Sequence, residues 1–369
     1  MKLTCERQKL NEAVLNIQRA VSTKSTVPAL EGILLKAEED SLQLCGYDLE
    51  LGMTTSLPAQ ISEEGSVVLS ARLLGDIVRR LAAEQVELAA DAKQMTTITC
   101  GSAEFSIVGI PAQEYPELPV INGEANLKIP GGVLKSMIRQ TLFAVAENDA
   151  KPIHTGTLFE LGDDCIRLVS VDGYRLAIRE EKIQGAEKNS FVVPGKTLGE
   201  ILKLPADDDQ EIELQVGRRH ILFGIGNYTV ISRLLEGEFL DYHAALPNAS
   251  STEIRVSVRD FIDSVERVSL LITDRLKSPV RCVFEENEIR ISCATAIGRA
   301  SDQLSAKIEG EAVEMGFNNR FLLDALRNSD CDEVKILLNG PLSPMKILPP
   351  QGEEFTFLVL PVRLKTTTD

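Results

Sequence analysis

Apolar and polar residues alternate along this chain with two different periods. An apolar residue recurs every three or four positions near the N-terminus, at Leu10, Val14, Ile17 and Val21. This spacing is typical of one buried face of an α-helix. Elsewhere every second residue is apolar, as in Ile289-Arg290-Ile291, which follows an acidic turn and predicts a hairpin strand with one buried face. The chain is therefore expected to combine amphipathic helices with antiparallel hairpins.

Both patterns repeat with a period of about 124 residues. A helical motif returns three times at this interval, at Leu73–Ile77, Thr197–Ile201 and Phe321–Ala325. A strand motif returns at the same interval, at Gly32–Leu35, Gly156–Phe159 and Val280–Val283. Because helices and strands share one period, the chain is predicted to hold three copies of one structural unit.

Polar segments with Pro or Gly mark the boundaries of the copies. Pro119–Ala125 and Pro247–Thr252 are the predicted linkers. We expect an α+β protein with domains at 1–119, 126–247 and 253–364, each with two helices and about eight strands in antiparallel sheets. The six predicted helices are 6–21, 70–81, 131–146, 194–204, 257–272 and 317–328.

Composition limits the function classes. The 369 residues include 39 Lys and Arg against 55 Asp and Glu, so the formal net charge of −16 argues against a uniformly basic nucleic-acid coat. Seven scattered cysteines without C-x-x-C spacing indicate neither a disulfide framework nor a zinc site. No signal segment and no apolar run of membrane-spanning length are present, so we expect a cytoplasmic protein that does not bind membranes.

Positive charge is concentrated in the predicted helices. They carry a net charge of +6, whereas the remaining residues carry −22. Two positions are basic in all three copies: Arg72, Lys196 and Arg320 at the first, and Arg79, Lys203 and Arg327 at the second. Within each helix the two positions are seven residues apart and therefore share a face. Repeated cations without a base-reading motif predict contact with a regular polyanion through charge alone.

Motifs for catalysis, metals or cofactors are weak. Gly195-Lys196-Thr197 lacks the first glycine of a phosphate-binding loop. His154, His220 and His243 are far apart and have no carboxylate at ligand spacing. Asp207-Asp208-Asp209 is typical of a solvated turn. The chain is predicted to be neither an enzyme nor a metalloprotein, and no cofactor is expected.

The C-terminal segment Phe355–Leu364 is strongly apolar. Part of it should be a final strand of the sheet. Pro361 cannot donate to a strand ladder, so the last residues are expected to leave the sheet and expose apolar side chains beside it. An exposed apolar patch of this kind predicts a docking site.

Two segments, together with the threefold period, resemble the bacterial DNA polymerase III beta subunit family of processivity sliding clamps. These are Val171-Asp172-Gly173-Tyr174-Arg175-Leu176-Ala177 and Leu358-Val359-Leu360-Pro361-Val362-Arg363-Leu364. The resemblance implies three clamp domains per chain and a ring of two chains joined head to tail, with helices lining the hole. It implies a DNA sliding clamp that encircles duplex DNA without sequence specificity and tethers the replicative polymerase for processive synthesis.

The resemblance also implies site residues. DNA contacts transfer to Lys24, Arg72, Asn148, Lys196 and Arg281, with Lys151 supported by its polar loop, and the repeat adds Arg79, Lys203, Arg320 and Arg327. Dimer contacts transfer to Phe105, Ile107, Leu270 and Leu271. The pocket for short linear motifs of the polymerase III catalytic subunit, the clamp loader and repair proteins transfers to Val171, Gly173, Tyr174, Arg175, Leu176, Leu240, Ala245, Met345, Val359, Leu360, Pro361, Val362 and Arg363.

Three residues depart from the family's common pattern in this pocket. Tyr174 replaces a common histidine, Ala244 a frequent arginine and Val362 a common methionine. They predict a changed ranking of partner motifs.

Ring size supports two chains over one. With helices packed about 10 Å apart, six leave only about 9 Å clear, whereas twelve leave about 28 Å, enough for a duplex. Two alternatives stay open. One is a monomeric three-domain interaction scaffold that does not encircle DNA. The other is a hydrolase whose acid and base residues converge from distant positions.

Overall fold

A computed structural model describes residues 1–121, 125–147, 151–162, 164–183, 187–205, 207–247, 249–273 and 278–364. The chain divides into two compact units. Unit 1 comprises Met1–Leu134 and Lys196–Leu234, and unit 2 comprises Lys135–Gly195 and Leu235–Asp369.

The described part of the first repeat has two α-helices and eight strands. They are β1 (Lys2–Glu6), α1 (Arg7–Ile17), β2 (Gly32–Glu38), β3 (Ser41–Tyr47), β4 (Leu51–Glu63), β5 (Gly65–Ser70), α2 (Ala71–Val78), β6 (Gln85–Ala90), β7 (Met95–Cys100) and β8 (Ala103–Val108).

The second repeat has the same element order where it is described. Its elements are β9 (Ala125–Pro130), α3 (Gly131–Leu142), β10 (Gly156–Gly162), β11 (Cys165–Val171), β12 (Arg175–Lys182), β13 (Asn189–Pro194), α4 (Gly195–Ile201), β14 (Glu211–Val216), β15 (His220–Ile225) and β16 (Tyr228–Arg233).

The third repeat has one more strand, because β20 and β21 correspond to a single strand in the first. Its elements are β17 (Thr252–Ser257), α5 (Val258–Ser269), β18 (Val280–Glu285), β19 (Glu288–Thr295), β20 (Gly298–Ser305), β21 (Lys307–Gly310), β22 (Val313–Phe317), α6 (Asn319–Arg327), β23 (Glu333–Leu338), β24 (Met345–Leu348) and β25 (Phe355–Val359). The predicted threefold α+β repeat is confirmed.

The predicted helices are too long at most ends. Ser70 and Ser257 are not the first helical residues but N-caps, whose hydroxyls accept from the backbone N–H of Leu73 and Asp260. At the other end α2 stops at Val78 rather than at residue 81, and Arg80 N–H donates to Ile77 O at 2.9 Å. The chain therefore tightens into a final i to i+3 turn that apolar periodicity alone does not separate from the helix.

Sheet pairing explains why three repeats form two units. All observed strand pairs are antiparallel. In unit 1, β16 of the second repeat pairs with β4 of the first, with Ser232 opposite Leu51. In unit 2, β12 of the second repeat pairs with β25 of the third, with Arg175 opposite Val359. Each half of the second repeat thus shares a sheet with a different neighbour. The predicted linkers are wrong at one end, because Ala125 begins β9 and Thr252 begins β17.

The core of unit 2 shows how the elements pack. Phe261 and Val265 of α5 and Leu322 of α6 are fully buried in one cluster with Phe284 of β18. Two chemical features also bear on function. Among the described helices none is both long and apolar enough to cross a membrane. The described residues contain no group of three side chains suited to hold a metal ion.

Candidate functional site

A tight turn before β12 organises the predicted motif pocket. Asp172 Oδ1 accepts hydrogen bonds from the backbone N–H of Tyr174 at 2.9 Å and of Arg175 at 3.0 Å. Gly173, between them, has φ of 87°, a left-handed conformation that glycine adopts without strain. The turn presents Tyr174 to solvent, with 62% of its surface exposed.

Arg175 ties this turn to helix α6. Its Nε donates to Asp172 Oδ2 at 2.9 Å and its guanidinium to Asp324 Oδ2 at 2.5 Å. The guanidinium carbon lies 4.6 Å from the ring centroid of Phe321, over its face. Phe321 was not among the predicted pocket residues, although it is the one aromatic residue at its position in the three helix repeats, beside Leu73 and Thr197.

The C-terminal segment lies beside the Asp172 turn. As Pro361 predicts, β25 ends at Val359. Leu360 N–H donates to Tyr174 O at 2.9 Å, and Val362 N–H donates to Gly316 O at 2.8 Å. Leu360 and Val362 are 39% and 42% exposed, so two apolar side chains line the surface beside the Asp172 turn.

The remaining predicted pocket residues fall into two groups. Those at the surface are Gly173, Leu240, Ala245 and Arg363, with Pro361 half-buried. The buried ones lie on two faces of one sheet: Val171 and Leu176 form the pocket floor, whereas Met345 and Val359 belong to the core that contains α5 and α6. Val171 and Leu176 belong to one apolar cluster with Tyr242 and Leu358, which joins the floor to the segment that carries Leu240 and Ala245. Tyr242 was not among the predicted pocket residues.

Two open sheet edges carry the predicted dimer contacts. In unit 1, β8 is the edge strand of its sheet, and Phe105 is 37% and Val108 72% exposed. In unit 2, β20 is the edge strand of a four-stranded sheet. Leu270, just after α5, is 80% exposed, and Leu271 is half-buried. Within the described chain neither outer edge pairs with another strand, so each has free backbone donors and acceptors.

The three repeats match models of the N-terminal, central and C-terminal domains of the DNA polymerase III beta subunit at residues 1–119, 128–241 and 243–363. The beta sliding clamp of Bacillus subtilis (strain 168) is 33% identical over 376 residues, which cover 98% of this chain and all of that protein. The chain belongs to the DNA polymerase III beta subunit family.

Solved structures of this family have the same fold. A DNA polymerase sliding clamp from Bacillus subtilis has a TM-score of 0.95 at 32% identity, with 99% of this chain and 100% of that chain covered. A sliding clamp from Pseudomonas aeruginosa bound to griselimycin has a TM-score of 0.94 at 25% identity and the same coverage. The correspondence therefore includes all three clamp domains.

In this member of the beta subunit family, the six repeated cations are all exposed. Arg79 and Lys203 were predicted to lie within helices. They lie instead just beyond the C-terminal ends of α2 and α4. Acidic neighbours partly balance most of the six. Lys196 Nζ lies 2.5 Å from Asp48 Oδ2, and Arg327 lies 2.5 Å from Glu266.

The other predicted DNA residues are less uniform. Lys24 and Lys151 are exposed, in the segments before two 3-10 turns. Arg281 lies on β18, where its neighbour Cys282 is fully buried against the helices, so Arg281 is on the opposite face of that sheet. It pairs there with Glu314 at 2.6 Å. Asn148 lies outside the described residues.

Proposed function

We propose that two copies of this chain close head to tail into a ring, a DNA sliding clamp that encircles duplex DNA and tethers the replicative polymerase. The chain then acts as a processivity subunit in the cytoplasm, without a catalytic site of its own. Its proposed partners are duplex DNA and the polymerase III catalytic subunit, the clamp loader and repair proteins, which bind through short motifs. We propose clamp domains at 1–119, 126–247 and 253–364.

The repeated pairing of strands carries the ring proposal. The fourth strand of the first repeat pairs with the last of the second, β4 with β16, and β12 pairs with β25 in the same way. The corresponding strands left over are β20 in the third repeat and β8 in the first. These two strands do not pair with each other within the described chain. We therefore propose that β20 of one copy pairs with β8 of the other. This contact is heterologous and closes a ring of two.

The internal repeat also gives the register of that seam. Arg299 lies 124 residues after Arg175, which itself lies 124 residues after Leu51. The turn glycines Gly226 and Gly101 have φ of 59° and 60° and align β16 with β8. Transferring the observed register of β4 and β16 sets Phe105 opposite Ser301 of the second copy. Leu270 and Leu271 are then covered by the same contact.

Exposed cations support contact with the DNA backbone. Arg72 has no ion-pair partner among the described residues, and Lys196 and Arg320 occupy the same position in their helices. We propose that Arg72, Lys196 and Arg320, with Arg79, Lys203, Arg327, Lys24, Lys151 and Asn148, face the duplex. Arg281 is omitted because it lies on the sheet face opposite the helices. Contacts to phosphate carry no base information, so binding is independent of sequence.

The motif pocket supports the tethering role. Leu240, Leu360 and Val362 are exposed apolar residues, and the backbone of Leu360 is hydrogen-bonded to that of the exposed Tyr174. We propose that short peptides of the Gln-x-x-Leu-Phe type bind there through their Leu and Phe side chains. Apolar anchors in a preformed groove typically give micromolar affinity, about −8 kcal/mol.

One experiment tests ring and DNA together. Clamp is loaded onto nicked circular DNA, the DNA is linearised, and retention is compared between wild type and a variant with Arg72, Lys196 and Arg320 changed to Glu. Wild type should remain on circles and slide off linear ends, and the variant should be lost from circles. If the variant is retained on circles as well as wild type is, these three residues do not contact the DNA.

Solution mass separates the ring from the monomeric scaffold. Light scattering should give the mass of two chains for wild type. Leu271→Glu should give one, because a charge buried in an apolar seam without a partner costs several kcal/mol. Wild type with the mass of one chain at micromolar concentration would refute the ring.

A further inference from the structure

Tyr242 lies between two exposed residues of the pocket wall. It begins the 3-10 turn Tyr242–Ala245, two residues after Leu240. Only 3% of its surface is exposed, and its ring packs in the apolar cluster that contains the floor residues Val171 and Leu176. The position of Tyr242 therefore sets where the outer wall stands relative to the floor.

The phenol oxygen of Tyr242 is hydrogen-bonded within a network of charged side chains. It donates to Glu160 Oε2 at 2.5 Å and accepts from an Arg167 terminal nitrogen at 3.3 Å. Arg167 also donates to Glu160 at 3.4 Å, and its Nε donates to Glu180 at 2.9 Å. The buried phenol is thus held directly by Glu160 of β10 and Arg167 of β11, and Arg167 is held in turn by Glu180 of β12.

This polar network and the pocket floor occupy one face of one sheet. Side chains alternate along a strand, so Arg167 and Val171 of β11 point the same way, as do Leu176 and Glu180 of β12. The clustered residues Val171 and Leu176 lie at the pocket end of that face, and the ionised groups lie at its other end. The phenol of Tyr242 reaches from one to the other.

Ionisation favours the arrangement. Burial raises the pKa of Tyr242, and the hydrogen bond to Glu160 raises it further, so the phenol stays a protonated donor. Burial lowers the pKa of Arg167, but its hydrogen bonds to Glu180 and Tyr242 outweigh that effect and the net pKa is raised. Both groups keep the charge state that the network requires near neutral pH.

The first repeat has no tyrosine at the position of Tyr242, because the residue 124 positions earlier is Leu118. Its nearby buried tyrosine, Tyr115, is held differently. Its hydroxyl donates to the backbone carbonyl of Cys45 at 3.3 Å. The residues 124 positions before Glu160 and Arg167 are Lys36 and Gln43, which cannot form the same ionic contacts. Of these two tyrosines, the one beside the motif pocket has the charged network.

We propose that Glu160, Arg167 and Glu180 are positioning residues for the motif pocket: by holding Tyr242 they fix the wall formed by Leu240 and Ala245, and so set the affinity for partner peptides from outside the pocket. The proposal rests on the proposed function of the pocket. None of the three charged residues is required to touch the peptide.

The test measures peptide affinity and local order in the same full-length variants. A fluorescein-labelled Gln-Ala-Ser-Leu-Phe peptide is titrated by anisotropy, and hydrogen exchange of residues 239–247 is followed without peptide. Glu160→Gln, Arg167→Met and Tyr242→Phe should each weaken binding about 5-fold to 20-fold and speed exchange in that segment. Arg167→Lys should recover part of the affinity, because it keeps the charge.

Arg290→Met is the matched control, since Arg290 is a strand arginine beside Glu285 and Glu288 and lies outside the pocket. It should change neither readout. Wild-type affinity and exchange in Glu160→Gln and Tyr242→Phe would overturn the positioning role. Failure of wild type to bind the peptide would instead overturn the proposed pocket, while the exchange rates still decide whether the network orders the wall. If Arg167→Met does not fold, Tyr242→Phe decides, because it removes one oxygen atom.

Discussion

Two turns 124 residues apart have the same backbone and different surfaces. Asp48 Oδ1 accepts from the N–H of Glu50 at 3.0 Å and of Leu51 at 2.7 Å, as Asp172 does in its own turn. Arg233 N–H donates to Glu50 O at 2.8 Å, and Leu360 N–H donates to Tyr174 O at 2.9 Å. The first turn lies in unit 1 and the second in unit 2.

Side chains make the difference. Glu50 and Arg233 in unit 1 occupy the places of Tyr174 and Leu360 in unit 2. An apolar peptide side chain would meet two charges at the first turn and an aromatic and an aliphatic group at the second. The same backbone turn is therefore built twice, and of these two turns the second has the apolar side chains on which the proposed peptide site depends.

The largest expected effect comes from giving the second turn the charge of the first. Leu360→Arg should weaken peptide binding roughly 100-fold, about 2.7 kcal/mol, because a guanidinium would have to lose its water in the pocket. Leu360 is 39% exposed, so the fold should be kept. Calorimetric titration measures the loss. The control Arg233→Leu, at the matching place in unit 1, should bind the peptide as wild type does; undiminished binding by Leu360→Arg would remove the tail from the pocket.

A second exchange tests the arginine itself. Leu51 stands in the first turn where Arg175 stands in the second. Arg175→Leu should lower the free energy of unfolding by about 2 kcal/mol, because it leaves the nearly buried Asp172 without its cation. Chemical denaturation measures this change. Arg281→Leu, which breaks an exposed pair, should cost less than about 1 kcal/mol. Equal losses in the two variants would contradict a special role for Arg175.

A third exchange concerns backbone strain at the middle of each turn. Leu49 has φ of 76° and Gly173 has φ of 87°. Gly173→Ala should destabilise by about 1 kcal/mol through conformation alone, since an added Cβ would meet nothing within 4 Å. Leu49→Gly should stabilise by about 0.5 kcal/mol. Thermal unfolding of both variants shows whether each change raises or lowers stability. A loss of stability in Leu49→Gly would show that the packing of the leucine side chain outweighs the backbone strain.

The smallest expected effect is on the pH dependence of stability. Burial, with Arg233 and Arg219 nearby, lowers the pKa of His220 below its ordinary value near 6.5. As pH falls below 6.5 the unfolded chain takes up this proton first, so stability is lost on acidification down to the lowered pKa. His220→Gln should flatten the decline between pH 7 and 5.5 in denaturant titrations. An unchanged slope would mean that other groups dominate.

Much of the fold could be predicted from the sequence because it depends on local periodicity. Spacings of two and of three to four residues located the strands and helices, and their recurrence revealed three copies. Helix ends were less accurate, since caps such as Ser70 and the final i to i+3 turn depend on backbone geometry that composition does not fix.

The candidate site was predictable only in part. The apolar tail and the Asp-Gly turn are contiguous in sequence and could be recognised. The roles of Phe321 and Tyr242 could not be deduced, because they depend on contacts with residues 147 and 75 positions away along the chain. Nor did the sequence reveal that Arg281 lies on the sheet face opposite the helices, since strand register decides it.

The shared sheets have a mechanical consequence for a protein that must admit a closed duplex. At each boundary between repeats inside the chain, a covalent connection and a strand pair, β4 with β16 or β12 with β25, act in parallel. At the β8 and β20 edges only non-covalent contact is available. In the proposed ring we therefore expect DNA to enter at the contact between the two chains, and the affinity of that contact to set how long the ring stays closed.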